Sequence, residues 1–269
     1  MGGKKTIFLK SAEDAEIIRA NGVILGKCHA EVAKRITPGV TTKELDKLAE
    51  TFIKDNGGKP SFKGYGGFPA SLCISLNDVV VHGFPNDRPL RDGDILSIDC
   101  GVHKNGFHAD SAYTYAVGTI SEEVNELLVE TKRSLYRAIE QVKAGNRIGD
   151  VSFAVQDYVN KFGFGVVREL VGHGVGKQLH EGPEVPNYGK RGKGPKMLAG
   201  MVIAIEPMIT LGRRFVVQEK DGWTIRTEDR KPAAHYEHTV LVTESGYDVL
   251  TTFEYIEEVL KSKDELIAA

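Results

Sequence analysis

A pattern of two helices followed by carboxylate-bearing strands occurs twice in this 269-residue chain, about 106 residues apart. The shorter helices align without a gap, PGVTTKELDKLAETFIKDNG at 38–57 over AGNRIGDVSFAVQDYVNKFG at 144–163. The strand DGDILSID, ending in Asp99, matches AGMVIAIE, ending in Glu206, and FHADSA with Asp110 resembles HYEHTV with Glu237. A repeat alone says only that two segments pack alike. Acidic residues that interrupt apolar strands at equivalent places need a further reason, because core packing does not require them. The halves run over roughly 11–118 and 119–250. At 29.5 kDa, with 41% hydrophobic residues, the chain can bury one large core or two tightly joined ones.

Local chemistry sets the helix boundaries. Ser11 and Asp14 form a capping pair that opens a long amphipathic helix reaching Ile36. A second helix, 41–56, carries Leu45, Leu48, Ala49, Phe52 and Ile53 at helical spacing and stops at Gly57. The second copy predicts helices over 121–142 and 148–162, the latter ended by Gly163.

Residues 97–114, SIDCGVHKNGFHADSAYT, read as a hairpin around the turn signal Asn105-Gly106. With the turn at 104–105, Asp99 lies directly opposite Asp110; with the turn at 105–106, the two are diagonal neighbours on one face. An odd-length loop would send them to opposite faces. Facing carboxylates cost up to about 1 kcal/mol, and more when desolvated, unless something positive lies between them. The apolar flanks argue against both simply pointing into solvent.

An acid that closes the run MVIAIE is likewise expensive if buried and unpaired. Four converging carboxylates balance two divalent cations, whereas one would leave excess negative charge. His173, in LVGHGVG, is the fitting fifth ligand, since flanking glycines permit close approach of backbone and substrate. Oxygen donors with one imidazole suit Mn²⁺, Fe²⁺ or Co²⁺, and two such ions about 3.5 to 4 Å apart can hold a hydroxide nucleophile.

The sequence limits other roles. A net charge of −2 gives no general electrostatic case for DNA or an anionic membrane. Cys28, Cys73 and Cys100 show no CxxC, which fits free thiols in a reducing cytosol. No apolar run approaches a membrane span, and MGGKKTIFLK lacks a signal-peptide core, so a soluble cytoplasmic protein is expected. Met1-Gly2 with Thr6 fits the loose myristoylation pattern, a weaker reading than an ordinary N-terminus. The basic run KRGKGPK at 190–196 reads as a solvated loop; if it has a partner, ribosomal RNA near emerging chains fits it.

The segments GYGGFPASLCISLNDVVVHGFP, DGDILSIDCGVHKNGFHADSA, GHGVGKQLHEGPEVPNYG, VIAIEPM and DGWTIRTEDRKPAAHYEHTVLV resemble type I methionine aminopeptidases over nearly the whole length. The resemblance implies one catalytic domain with the α+β pita-bread fold, its two halves related by a pseudo-twofold axis. It implies Asp99, Asp110, His173, Glu206 and Glu237 as ligands of two divalent ions, cobalt, manganese or iron. His82 and His180 would flank the scissile bond and, with Glu206, serve catalysis. Tyr65, Phe68, Cys73, His82, Leu179, His180 and Trp223 would bind substrate, with Leu179 standing where an aromatic residue is common. The implied substrates are nascent polypeptides that begin with methionine followed by Gly, Ala, Ser, Thr, Pro, Val or Cys. The protein's own Met1-Gly2 satisfies that rule.

Only 33 residues separate His173 from Glu206 and 31 more reach Glu237, which leaves no room for the inserted helical subdomain of type II enzymes. About 11 residues precede the first helix, so a compact bacterial-type monomer is expected. An Xaa-Pro aminopeptidase shares the same five ligands but is disfavoured by GYGGFPASLC and by the short N-terminal stretch. A non-catalytic pita-bread binding module would have lost ligands, and here all five are present. A cysteine hydrolase built on Cys73 and His82 lacks an evident orienting third residue. Walker A, GxSxG and HExxH motifs are absent.

Overall fold

A computed structural model describes residues 6–268, so the Met1-Gly2 start lies outside the described residues. Helix α1 (Ala12–Arg35) opens with a reciprocal cap. The Ser11 hydroxyl accepts from the Asp14 N–H at 3.1 Å, and the Asp14 carboxylate accepts from the Ser11 N–H at 3.0 Å. Thr41 and Glu44 repeat the device at α2 (Thr42–Asp55).

Ser121 caps α3 (Glu122–Ile139), which ends before the expected Val142. There Gln141 and Val142 donate to Ala138 and Ile139, so the chain tightens into three-residue turns. Helix α4 (Ile148–Val159) passes into a 3₁₀ turn at Asn160–Phe162 and stops at Gly163, whose φ is 75°. Its first N–H groups donate to the carbonyls of Pro195 and Lys193, so the exposed basic loop caps α4. A fifth helix, α5 (Glu254–Ala268), packs on α1 and was not anticipated.

Strands Ile95–Lys104 and Phe107–Ala116 pair antiparallel with Lys104 opposite Phe107. Asn105 and Gly106 both take positive φ, 51° and 81°, as a type I′ turn demands. Of the two registers the diagonal one is realised: Asp99 faces Ala112, and Asp110 faces Gly101. Strand Leu72–Leu76 adds to the other edge and brings Cys73 opposite Asp99.

The second half builds a five-stranded antiparallel sheet in the order Tyr247–Val249, His238–Val242, Val202–Ile205, Gly172–Gly174, Glu181–Val185. His238 faces Ile205, so Glu206 and Glu237 are the residues just past that ladder. Pro207 has no N–H to extend it, which is why Glu206 closes a strand whereas Asp99 sits inside one.

The halves meet along Phe107–Ala116. Thr239 Oγ1 donates to the Asp110 carbonyl at 2.8 Å and accepts from the Asp110 N–H at 3.1 Å, while the Glu237 N–H donates to Ala112 at 2.9 Å. Carboxylates from both halves are therefore pinned to one seam. A continuous buried apolar cluster runs from Ile18 to Ile256 and draws on both halves. The architecture is α+β, and among the described residues no helix is long and apolar enough to cross a membrane.

Candidate active site

Asp110, Glu206 and Glu237 are buried, and Asp99 is partly so. Asp99 Oδ1, Asp110 Oδ1 and Glu237 Oε1 have no hydrogen-bond partner. Burial pushes Asp99 up to about 7 and lifts Asp110, Glu206 and Glu237 well above the ordinary carboxylate range, the last three helped by mutual repulsion. Ligand atoms of Asp110, His173 and Glu237 lie within 4.8 Å of one another, and His173 Nε2 is 3.6 Å from Glu206 Oε1. Buried acceptors without donors are what a cation satisfies, and oxygen atoms with one imidazole fit a divalent metal.

The glycines around His173 do steric work. A Cβ on Gly172 would come within 2.3 Å of the Ala204 carbonyl oxygen, and one on Gly174 within 2.1 Å of the Gly182 carbonyl oxygen. Only glycine lets that strand press between its neighbours and carry His173 to the carboxylates.

His235 joins this group although the sequence reading passed over it. It is 1% exposed, and its Nε2 lies 3.6 Å from Glu206 Oε2 without a hydrogen-bond partner. Burial, with His82 nearby, holds its pKa down to about 3. Its place two residues before Glu237, in the acid-bearing segment HYEHTV, was the available signal.

The five predicted ligands line one cavity of about 260 Å³ together with Tyr65, Phe68, Cys73, His82, Leu179, His180 and Trp223. All twelve residues singled out from the sequence therefore converge, and Phe62 and Val81, which were not anticipated, join them. Phe62, Phe68, Cys73 and Leu179 form a small buried apolar cluster against which Trp223 packs. Phe68 and Trp223 meet edge to face with ring centres 5.2 Å apart, and Trp223 presents the same geometry to His82 at 6.0 Å. Leu179 is buried, so the aliphatic chain completes this wall.

Tyr65 differs from the other pocket residues. It is 45% exposed, and its hydroxyl is 2.7 Å from His180 Nδ1, so it braces the imidazole at the cavity's rim. His82 holds a left-handed φ of 58°, an unfavourable backbone state for a non-glycine residue. Burial lowers its pKa and favours the neutral ring. Burial, then the charge of Asp99, raises the Cys73 thiol well above its ordinary value, which disfavours a thiolate there.

Comparison with known proteins agrees with this geometry. The profile of metallopeptidase family M24 matches residues 16–244. The chain is 51% identical over 245 residues to methionine aminopeptidase 1 of Bacillus subtilis strain 168, spanning 91% of this chain and 99% of that protein. It superposes on the crystal structure of methionine aminopeptidase from Rickettsia prowazekii with a TM-score of 0.91 at 36% identity, over 92% of this chain and 100% of that one. A prolidase from Pyrococcus furiosus matches at a TM-score of 0.76 and 27% identity, over 91% of this chain and 66% of that one. The fold is the pita-bread fold, and the metal dependence of the family accords with the unsatisfied acid cluster. From its sequence, its fold and the donors buried at the seam, the chain belongs to metallopeptidase family M24, among its methionine aminopeptidases.

Proposed function

We propose that the chain, acting as a single catalytic domain, removes the N-terminal methionine from nascent proteins and peptides whose second residue is small. The observation that carries this reading is one cavity joining an acidic, imidazole-bearing cluster to an apolar slot walled by Phe68, Leu179 and Trp223. A thioether is long, unbranched and polarizable, which suits aromatic edges and the soft Cys73 sulfur. Asp99, Asp110, His173, Glu206 and Glu237 would hold two divalent ions, cobalt, manganese or iron. When bound, such ions supply an acidified water, polarise the carbonyl and balance the carboxylates.

The protein's own groups then do the rest. Glu206 accepts the proton of the attacking water and passes it to the leaving amine nitrogen as the C–N bond breaks. A neutral His82 hydrogen-bonds the peptide amide, consistent with its lowered pKa. His180, braced by Tyr65, donates to the carbonyl oxygen as negative charge develops there. The chain works as a cytoplasmic monomer on emerging polypeptides, and the exposed basic loop 190–196 is the surface best suited to the ribosome.

The test is peptide cleavage by metal-reconstituted protein on Met-Gly-Lys, Met-Lys-Gly and Ala-Pro-Lys. Efficient release is expected from the first alone; turnover of either other peptide would replace this reading with a broader or proline-directed one.

A further inference from the structure

The turn that carries Leu179 and His180 is held by a segment from the other end of the chain. Lys10 Nζ pairs with Glu181 Oε2, and both side chains are almost wholly buried, at 3% and 1% exposure. The other oxygen, Glu181 Oε1, accepts from the Gln178 N–H at 3.1 Å. One carboxylate thus closes a four-residue turn around Leu179 and His180 and ties it to Lys10. The segment bearing Lys10 is itself fixed: the Gly182 N–H donates to Thr6 O at 3.0 Å, the Lys10 N–H to Gly200 O at 2.7 Å, and Lys10 Nζ to Phe8 O at 3.0 Å. A Cβ on Gly176 would come within 2.4 Å of Lys10 Cε, so the turn has no slack on that side.

We infer that residues 6–10 act as a strap and that Lys10 is a positioning residue, acting through Glu181 to set His180 for the reaction. The inference rests on the role of His180 proposed above. A surface-stabilising strap would not need to bury its one charge against Glu181, the residue that follows His180. This one fixes the residue next to an imidazole already placed by Tyr65 and lying 4.2 Å, ring centre to ring centre, from His173. Loss of Lys10 would leave the Glu181 carboxylate buried without its countercharge, and the turn would have to shift to rehydrate it.

A double-mutant cycle tests this on metal-loaded protein with Met-Gly-Lys. Lys10→Met is expected to lower kcat by about 10- to 100-fold, the scale of a small misplacement of a reacting group, with KM and metal content changing far less. In a His180→Ala background the same substitution should change kcat little, because the group being positioned is gone. Equal losses in both backgrounds, or a wild-type kcat for Lys10→Met, overturn the inference. A wild-type rate for His180→Ala alone instead overturns the role given to His180 and takes the strap's catalytic role with it. Should Lys10→Met fail to fold, Glu181→Gln, which keeps the side-chain shape and the acceptor for Gln178, enters the same cycle. It is then expected to show the same background-dependent loss, and a kcat at wild-type level would refute the strap.

Discussion

Asp99 and Asp110 lie diagonally across one face of a two-stranded ladder, each with a carboxylate oxygen that no hydrogen bond satisfies. Two acids held this way in a buried site keep protons that the unfolded chain would release.

Stability without metal should therefore fall as pH rises. The folded pKa of Asp99 is raised to about 7, against roughly 4 when unfolded, so its contribution is complete below about pH 4 and is lost as pH climbs toward 7. Asp110, Glu206 and Glu237, also raised, act in the same direction. Metal ions need the ionised acids, so their stabilisation runs the opposite way. Melting curves in chelator are expected to shift down between about pH 5 and pH 8, and the gain on adding Mn²⁺ should be larger at the higher pH. A chelated protein that becomes more stable over that window contradicts the assignment.

Chelation should abolish peptide cleavage, and Mn²⁺, Co²⁺ or Fe²⁺ should restore it. Asp99→Ala, Asp110→Ala, His173→Ala, Glu206→Ala and Glu237→Ala are each expected to remove most turnover and to weaken metal binding in calorimetry. Near-wild-type rates in two of the five would mean that the ligand set is wrong.

His180→Ala should lower kcat by roughly 10²- to 10³-fold, as loss of an oxyanion donor does, with metal content intact. His82→Ala should behave alike. Rates that stay at the wild-type level with metal bound would make these imidazoles structural.

Trp223→Ala removes the ring that meets both Phe68 and His82 edge-on. The loss of apolar contact should cut kcat/KM for Met-Gly-Lys by roughly tenfold or more, with little change in metal affinity. Norleucine should remain a fair substitute for methionine in the wild-type protein, since the two side chains match in length. Alanine and lysine should be rejected. Comparable kcat/KM values for methionine and alanine peptides would remove the slot from the account.

Much of this site was legible in the chain because its signals are local. Ser11 with Asp14 and Thr41 with Glu44 mark helix starts within four residues, and Asn105-Gly106 marks a hairpin. Acids interrupting apolar strands at matched places announced a cation site before any geometry was known. The register of the hairpin was decided only by the fold, where both turn residues adopt positive φ and shift Asp99 two positions from facing Asp110. His235 went unread, and the seam between the halves sets it beside Glu206. Tyr65 was expected to bind substrate, and the fold sets it in the cavity lining; that its hydroxyl also holds His180 was decided by the fold. Lys10 and Glu181 are 171 residues apart, and this pair has no short-range signature, whereas α5 carries Ile256, Val259 and Leu260 at helical spacing that went unread. Caps, turns and strand alternation depend on neighbours a few residues away. Which distant side chains share a dry space depends on how the two halves close on each other, and that is fixed by the packing of the whole chain.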